Sequence, residues 1–258
     1  MKIAWSNLLS SATLTASSEK STLPVENIQR DPLSRKWHTA ATVNDAYVLA
    51  DLGSAQAVRV LALLKTNLTS AATLRVRASN TDAALGDLLD TGVGSPAVPD
   101  SAGVDDDYGA VYKILSADVT ARYWRIDIAD ATLDNLQVGR GFMGPAWTPT
   151  RSMLYGHALS WVDDSIGRRS DGGQDVFSER DKRRRLQFTL SFMTRAEMIG
   201  NAFEMGRARG VTGNVLVLAE ESAQVSEYAV YGRCSAPITV HHDTYNVYRA
   251  RYDVEERL

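Results

Sequence analysis

The chain has 258 residues, enough for one large domain or two of ordinary size. With 44% hydrophobic residues, 23% charged residues and a formal net charge of −3, it has neither the strongly basic balance of a nucleic-acid-binding domain nor the low apolar content of a disordered chain. No apolar run approaches the roughly 18 residues of a membrane-spanning helix, and Met1-Lys2-Ile3-Ala4-Trp5 does not read as a secretory signal, so we expect no membrane insertion, no nucleic-acid partner and a protein kept in a cytoplasm until it is assembled or released.

From Met1 to about Thr150 the sequence offers many short strands and no good helix. The candidates are Ala12 to Ala16, Ala46 to Leu52, Val58 to Lys65, Thr73 to Ser79, Ala110 to Leu115, Arg122 to Ile128 and Leu136 to Met143. Leu74, Val76 and Ala78 alternate with Thr73, Arg75 and Arg77, which gives that strand one wet face, whereas Val58 to Leu64 is nearly all apolar and should be central. Strands separated by Gly, Asn, Asp and Pro clusters predict a β-sandwich. Asp82 to Tyr108 reads as a long exposed excursion. Pro145 and Pro149 flank Trp147 in a stretch that neither continues a strand nor starts a helix, so we place a linker there and divide the chain into residues 1–150 and 151–258.

The second half is organised around Arg185 to Leu218. Leu186, Phe188, Leu190 and Phe192 alternate with polar residues in the period-two pattern of a strand. Thr194 and Glu197 have the spacing of a capping box, and Gly210 is a helix stop, which predicts one helix over 195–209. Met198, Ile199, Ala202, Phe203 and Met205 form the stripe that such a helix would bury. Strands follow near Val215 to Ala219, Glu227 to Cys234, Ile238 to His242 and Tyr245 to Val254, and another precedes at Ala158 to Asp163. A lone helix against antiparallel strands is the element with which a closed or nearly closed barrel covers an opening. No internal repeat relates the halves. Cys234 is the only cysteine, which excludes an internal disulfide and makes a small core residue the expected role.

The templates of enzyme chemistry are absent. There is no G-x-S-x-G elbow, no phosphate loop and no H-E-x-x-H, and Gly139-Arg140-Gly141 lacks the rest of a dinucleotide fingerprint. We therefore expect no enzyme, no catalytic residue and no cofactor. His241 and His242 are adjacent on a strand and point to opposite faces, so they cannot share a metal. Asp105-Asp106-Asp107 offers oxygen ligands to calcium but sits between glycines, where a solvated loop is the alternative. Cations crowd Gly167 to Gly173 and Arg180 to Arg185. They form either a solvated loop or a cationic rim for a neighbouring subunit, with DNA contact a weaker third reading. If a rim, Arg168, Arg169, Arg183 and Arg184 would face the acidic end, Asp253, Glu255 and Glu256, of the next copy and close a head-to-tail ring.

Leu23-Pro24-Val25-Glu26-Asn27-Ile28, Trp37-His38-Thr39, Val48-Leu49-Ala50-Asp51-Leu52-Gly53, Val58-Arg59-Val60, Arg122-Tyr123-Trp124-Arg125-Ile126 and Val138-Gly139-Arg140 together resemble the discoidin, or coagulation-factor type C, group of galactose-binding-like domains. That resemblance implies a jelly-roll sandwich over about the first 140 residues, whose loops at one end sometimes hold a sugar. The cysteine pair of its extracellular members is missing here. It places Trp37 and His38 in a loop, where an exposed ring could stack on a sugar; the alternative is that Trp37 plugs the core. Gly172-Gly173, the strand to Met193, the helix, Tyr231-Gly232 and the final Tyr252-Asp253-Val254-Glu255-Glu256 are similar in order to distal tail and baseplate proteins of long-tailed bacteriophages. This second resemblance implies a tail-tube-like β-barrel, a place at the virion tail tip, self-assembly into a ring (sixfold preferred, threefold next) and contacts with tail-tube and hub proteins. A host-surface glycan is a further partner. A free-standing carbohydrate-binding module is the alternative reading.

Overall fold

A computed structural model describes residues 1–82, 84, 86–92, 109–219 and 228–257. The Asp105-Asp106-Asp107 run and most of the Asp82 to Tyr108 excursion lie outside the described residues. The chain is mainly β and divides into two compact units, one of residues 6–146 and one of residues 1–5, 147–219 and 228–257. The division into 1–150 and 151–258 is thus corrected at its start, because the first strand, β1 (Lys2–Ala4), belongs with the second unit.

The first unit contains β2 (Thr13–Ala16), β3 (Trp37–His38), β4 (Asp45–Thr66), β5 (Thr73–Ser79), β6 (Leu89–Asp90), β7 (Gly109–Ala129), β8 (Gln137–Val138) and β9 (Arg140–Gly144). Two pairs of stretches that the sequence separates are single strands. Ala46 to Leu52 and Val58 to Lys65 both lie in β4, and Ala110 to Leu115 and Arg122 to Ile128 both lie in β7. The reason is local. Asp51 accepts the Gly53 N–H at 2.8 Å and Gly53 takes φ +75°, so Asp-Leu-Gly kinks the chain as a turn would, yet the pairing with β7 resumes at Gln56. Further register shifts follow between Val58 and Val60 and between Leu64 and Thr66, and bulges of this kind bend a long pair out of one plane. The first half of β4 pairs with β2 and the second half with β9, so one bent β4–β7 pair runs through the whole unit. The enclosed core includes Trp37, Trp124, Leu61, Leu63, Val76 and Ile126.

On the outer face the side chains satisfy one another. Arg75 binds Asp90, Arg77 and Arg125 both bind Asp127, and Arg122 binds Asp51, while Arg125 lies over the Tyr47 ring at 3.8 Å. These are partly exposed pairs, each worth little alone, but the shared Asp127 joins β5 to β7, and Arg125 carries the link on to Tyr47 of β4.

The second unit contains β1, β10 (Ala158–Val162), β11 (Ile166–Arg169), β12 (Asp175–Ser178), β13 (Arg183–Met193), β14 (Asn214–Leu218), β15 (Ala229–Cys234), β16 (Thr239–Thr244) and β17 (Val247–Glu256). Its main sheet runs β1-β14-β15-β17-β13-β10, with β16 also paired to β17. The end strands β1 and β10 do not pair with each other, so among the described residues the sheet is open where a tail-tube-like barrel would close. Leu186, Phe188, Leu190, Ala250, Tyr252, Val254, Val215 and Val217 supply its core, and Phe188 stacks on Tyr252 at 4.8 Å. Cys234 is buried among them, and that burial pushes its thiol up to about 11, as befits a core residue.

The helix over 195–209 is present, but it is α-helical only at Arg195–Glu197 and Glu204–Arg209. Met198–Phe203 between them is a π turn. The Thr194 hydroxyl caps the Glu197 N–H at 3.2 Å, whereas the Glu197 carboxylate accepts from Thr150 N–H at 2.8 Å, so only half of a capping box forms. Gly210 ends the helix with φ +53°. The wider i→i+5 turn shifts the phase of the helix. Ala202 and Met205 are buried, while Ile199 is exposed and Phe203 is 60% exposed, which corrects the expected stripe. Met205→Ala should accordingly destabilise this unit by about 2–5 kcal/mol, and Phe203→Ala by no more than about 0.5 kcal/mol. Urea unfolding of the two variants would check the contrast, and equal losses would refute this packing.

Candidate assembly surface

Among the described residues, strands β11 and β12 pair only with each other, and every residue from Ile166 to Lys182 is exposed. The hairpin is nonetheless well specified. Ser170 N–H donates to the Gln174 carbonyl at 2.8 Å, Gly173 N–H donates to the Ser170 carbonyl at 2.9 Å, and Gly173 takes φ +82°, which a residue with a Cβ rarely adopts. Phe177 is the cross-strand partner of Gly167, and its ring lies where a Cβ on Gly167 would meet it at 2.8 Å. One side of the ring is covered by backbone, yet Phe177 remains 66% exposed, with Val176 and Ile166 exposed on the same hairpin.

The edge strand of the main sheet exposes apolar side chains as well. Leu159 and Trp161 of β10 sit opposite Leu186 and Arg184 of β13, so they share the face that is buried one strand further in. On β10 that face is uncovered, and Trp161 is 50% exposed. Ile199 and Phe203, four residues apart on the helix, form a second exposed apolar surface. Phe192 is a third, held outward at φ +60° in a bulge with Arg151 over its ring. Among the described residues, every exposed large apolar side chain except Leu88 belongs to this unit. Soluble monomers rarely expose contiguous apolar patches of more than a few hundred Å².

The charged residues expected to form the subunit rim are placed differently. Arg184 and Glu256 are both buried and bind each other, with Arg184 Nε 3.0 Å from Oε2 and the Arg184 backbone N–H donating to the same oxygen at 3.0 Å. Arg183 binds Asp164 at 2.7 Å and reaches Glu255, and Arg185 holds Asp253 at 2.8 Å with Gln187 adding a bond at 2.8 Å. Strands β13 and β17 are antiparallel neighbours, so the cations and acids assigned to opposite sides of a subunit contact neutralise one another inside one sheet. Arg168 and Arg169 alone of that set stay exposed on the hairpin, Arg169 only 3.9 Å from Asp175.

These pairs carry a pH dependence. The hydrogen bonds from Arg185 and then Gln187 hold the Asp253 carboxyl down to about 2, against the opposing effect of burial, and Arg122 and Arg75 do the same for Asp51 and Asp90. An unfolded aspartate titrates near 3.9. The folded values are depressed, so the stabilisation is full above about pH 4 and is lost as pH falls towards 2. Melting temperature measured from pH 7 to pH 2 should fall in that window, and Asp253→Asn should remove its share of the slope.

In the first unit Trp37 is fully buried and donates its Nε1–H to the Ser18 carbonyl at 3.2 Å. It is a core plug and cannot stack on a sugar, which corrects one of the two carbohydrate-binding residues expected there. His38 is half-buried; burial, then the charges of Lys36 and Lys20, lower its pKa. Lys36 donates to Gln137 at 3.4 Å, so His38, Lys20, Lys36 and Gln137 form a polar surface beside the β3–β8 pair, with no exposed large aromatic among the described residues of this unit. His242 stacks on Tyr248 at 4.6 Å while His241 faces the other side, and no metal-holding cluster occurs among the described residues.

No protein-family model matches the chain, and no curated protein matches it. Among solved structures the chain is similar to chitosan-binding module 1 of a chitosanase/glucanase from Paenibacillus sp. IK-5, at 17% identity and TM-score 0.44, covering 54% of this chain and 99% of that one. It is also similar to the family 32 carbohydrate-binding module of Clostridium perfringens NanJ in complex with galactose, at 14% identity and TM-score 0.42, covering 55% of this chain and 98% of that one. A fucosidase of Ruminococcus gnavus in complex with fucose matches at 14% identity and TM-score 0.37, over 55% of this chain and 27% of its own.

Proposed function

We propose that this protein is a self-assembling attachment component. In this reading the second unit packs against copies of itself, and the first unit is a binding module of the galactose-binding-like type. The carrying observation is the concentration of exposed apolar side chains in the second unit, on the β11–β12 hairpin, the edge strand β10 and the helix face. Apolar surfaces on different elements of one subunit favour head-to-tail contacts, and such contacts close into rings when the rotation per subunit divides a full turn. The tail tip of a long-tailed phage is the assembly that fits this reading, with sixfold symmetry preferred and tail-tube and hub proteins as neighbours. The virion is then its final location.

Because the charges of β13 and β17 pair within their own sheet, the contacts are apolar and should resist salt, whereas exposed ion pairs are screened within about 8 Å at physiological ionic strength. Light scattering of the full chain over a range of concentrations, at low and high salt, tests the reading. Mass growing with concentration and undiminished by salt is expected. A monomer at every concentration, found also as a single copy in its native assembly, would overturn it.

A free-standing carbohydrate-binding protein is the second reading, favoured by the polar surface of His38, Lys20, Lys36 and Gln137, in which His38 stands where the discoidin resemblance places a loop. A glycan array probed with the full chain discriminates: tight sugar binding by a protein that stays monomeric supports this reading over assembly.

A further inference from the structure

The outer face of the second unit's sheet holds a groove of about 380 Å³ lined by Gly156, Ala158, Gln187, Thr189, His241, Arg249 and Arg251, with Phe188 beneath. Its walls come from four places in the chain. Register puts Thr189 opposite Arg251, Thr239 opposite Arg251, His241 opposite Arg249 and Ala158 opposite Gln187, so these side chains project from one face of β10, β13, β17 and β16. The Leu154 N–H donates to the Thr189 carbonyl at 3.0 Å and fixes the segment that carries Gly156. Gly156 and Ala158 are small, and a Cβ added at Gly156 would meet nothing within 4 Å, which keeps that side of the groove open.

The charges in the groove do not cancel. Arg249 is held by Asp243 at 3.1 Å, but Arg251 has no acidic partner among the described residues. The nearest carboxylate on its own strand, Asp253, is occupied by Arg185 and Gln187. Gln187 spends its amide N–H on Asp253, so the amide oxygen is the atom left to accept from a ligand. Thr189 adds a hydroxyl that can donate or accept, and His241 adds an imidazole.

We propose that this groove binds a carboxylate-bearing sugar or similar polyhydroxy acid. The guanidinium of Arg251, seconded by Arg249, takes the carboxylate in the forked geometry that suits it, and Gln187 and Thr189 take hydroxyls. The volume fits one monosaccharide, at the small end of ligand pockets. This site lies outside the polar surface of the first unit, and its occupation does not depend on self-association.

The test is calorimetric titration of the full-length protein with glucuronate, glucose and inorganic phosphate. Glucuronate should bind at least tenfold more tightly than either, since glucose lacks the charge and phosphate lacks the ring hydroxyls. Arg251→Gln should weaken glucuronate binding at least tenfold. Ala158→Phe, which fills the groove and leaves every charge in place, should do the same; both sites are exposed, so melting temperature should hold. Failure of glucuronate to bind, equal binding of glucose or phosphate, or glucuronate binding unchanged in both variants would each overturn the proposal.

Discussion

Val176→Asp combined with Phe177→Asp should raise the dissociation constant for self-association about 100-fold while leaving the fold intact. Both side chains are more than half exposed in the single chain, so their removal should change stability by no more than about 0.5 kcal/mol. Adjacent on β12, they point to opposite faces of the hairpin, so the pair of substitutions marks whichever face a second copy covers; that side chain would contribute roughly 1.5–3 kcal/mol, and a loss of about 3 kcal/mol corresponds to roughly two decades in affinity. The introduced carboxylates would in addition be buried without partners. Arg168→Gln with Arg169→Gln is the control. These cations flank the apolar patch, and their neutralisation should change affinity only a few-fold. Sedimentation equilibrium of the three proteins reads the difference. An unchanged constant for the aspartate pair would show that the hairpin is not the contact.

Glu256→Leu should destabilise the second unit by about 3–5 kcal/mol, because it removes the carboxylate to which the buried Arg184 guanidinium is bonded. Arg184 and Glu256 are each under 5% exposed, and three groups of Arg184, the backbone N–H, Nε and Nη2, donate to the Glu256 carboxylate. Adding Arg184→Met to Glu256→Leu should recover most of the loss, since two well-packed apolar residues need no desolvated charge to be compensated. Chemical denaturation of the two single variants and the double variant gives the coupling directly. A cost below about 1 kcal/mol for Glu256→Leu would mean that water reaches the pair.

The burial of Arg184 was legible in the sequence. Arg184 has the parity of Leu186, Phe188 and Leu190, and Glu256 that of Tyr252 and Val254, so period-two counting already puts both on the covered face. Their charge points the other way, to an exposed rim. The same counting places Gln187, Thr189 and Arg251 together on the wet face. The strand at Thr73 to Ser79 and the strand from Arg185 to Leu190 follow directly from alternation, but the bulge after Leu190 turns Phe192 outward and buries Met193 in its place, which corrects the expected burial of Phe192. Other features were not accessible in this way. The union of two stretches into β4 depends on β7 pairing across the kink at Gly53, a long-range effect that no local window carries. The hairpin read as a loop because Gly, Ser, Asp and Arg dominate it, and its strands pair only with each other. The π turn that exposes Phe203 has no compositional mark, and a stripe drawn at 3.6 residues per turn puts that ring on the wrong side.

β1 precedes the first unit in sequence, yet its partner β14 lies beyond that unit, with Ile3 opposite Val217. On a ribosome the chain emerges in order, so residues 6–146 can fold while the second sheet still lacks most of its strands. Until β1 docks, β14 presents an uncovered edge beside Val215, Leu216, Val217 and Leu218, all of them buried in the finished fold. A bare, apolar edge of that kind is a template for pairing with other chains. A fragment beginning at residue 151 would keep that edge permanently open. The hazard in producing this protein is therefore concentrated in the interval between the exit of β14 and the return of β1.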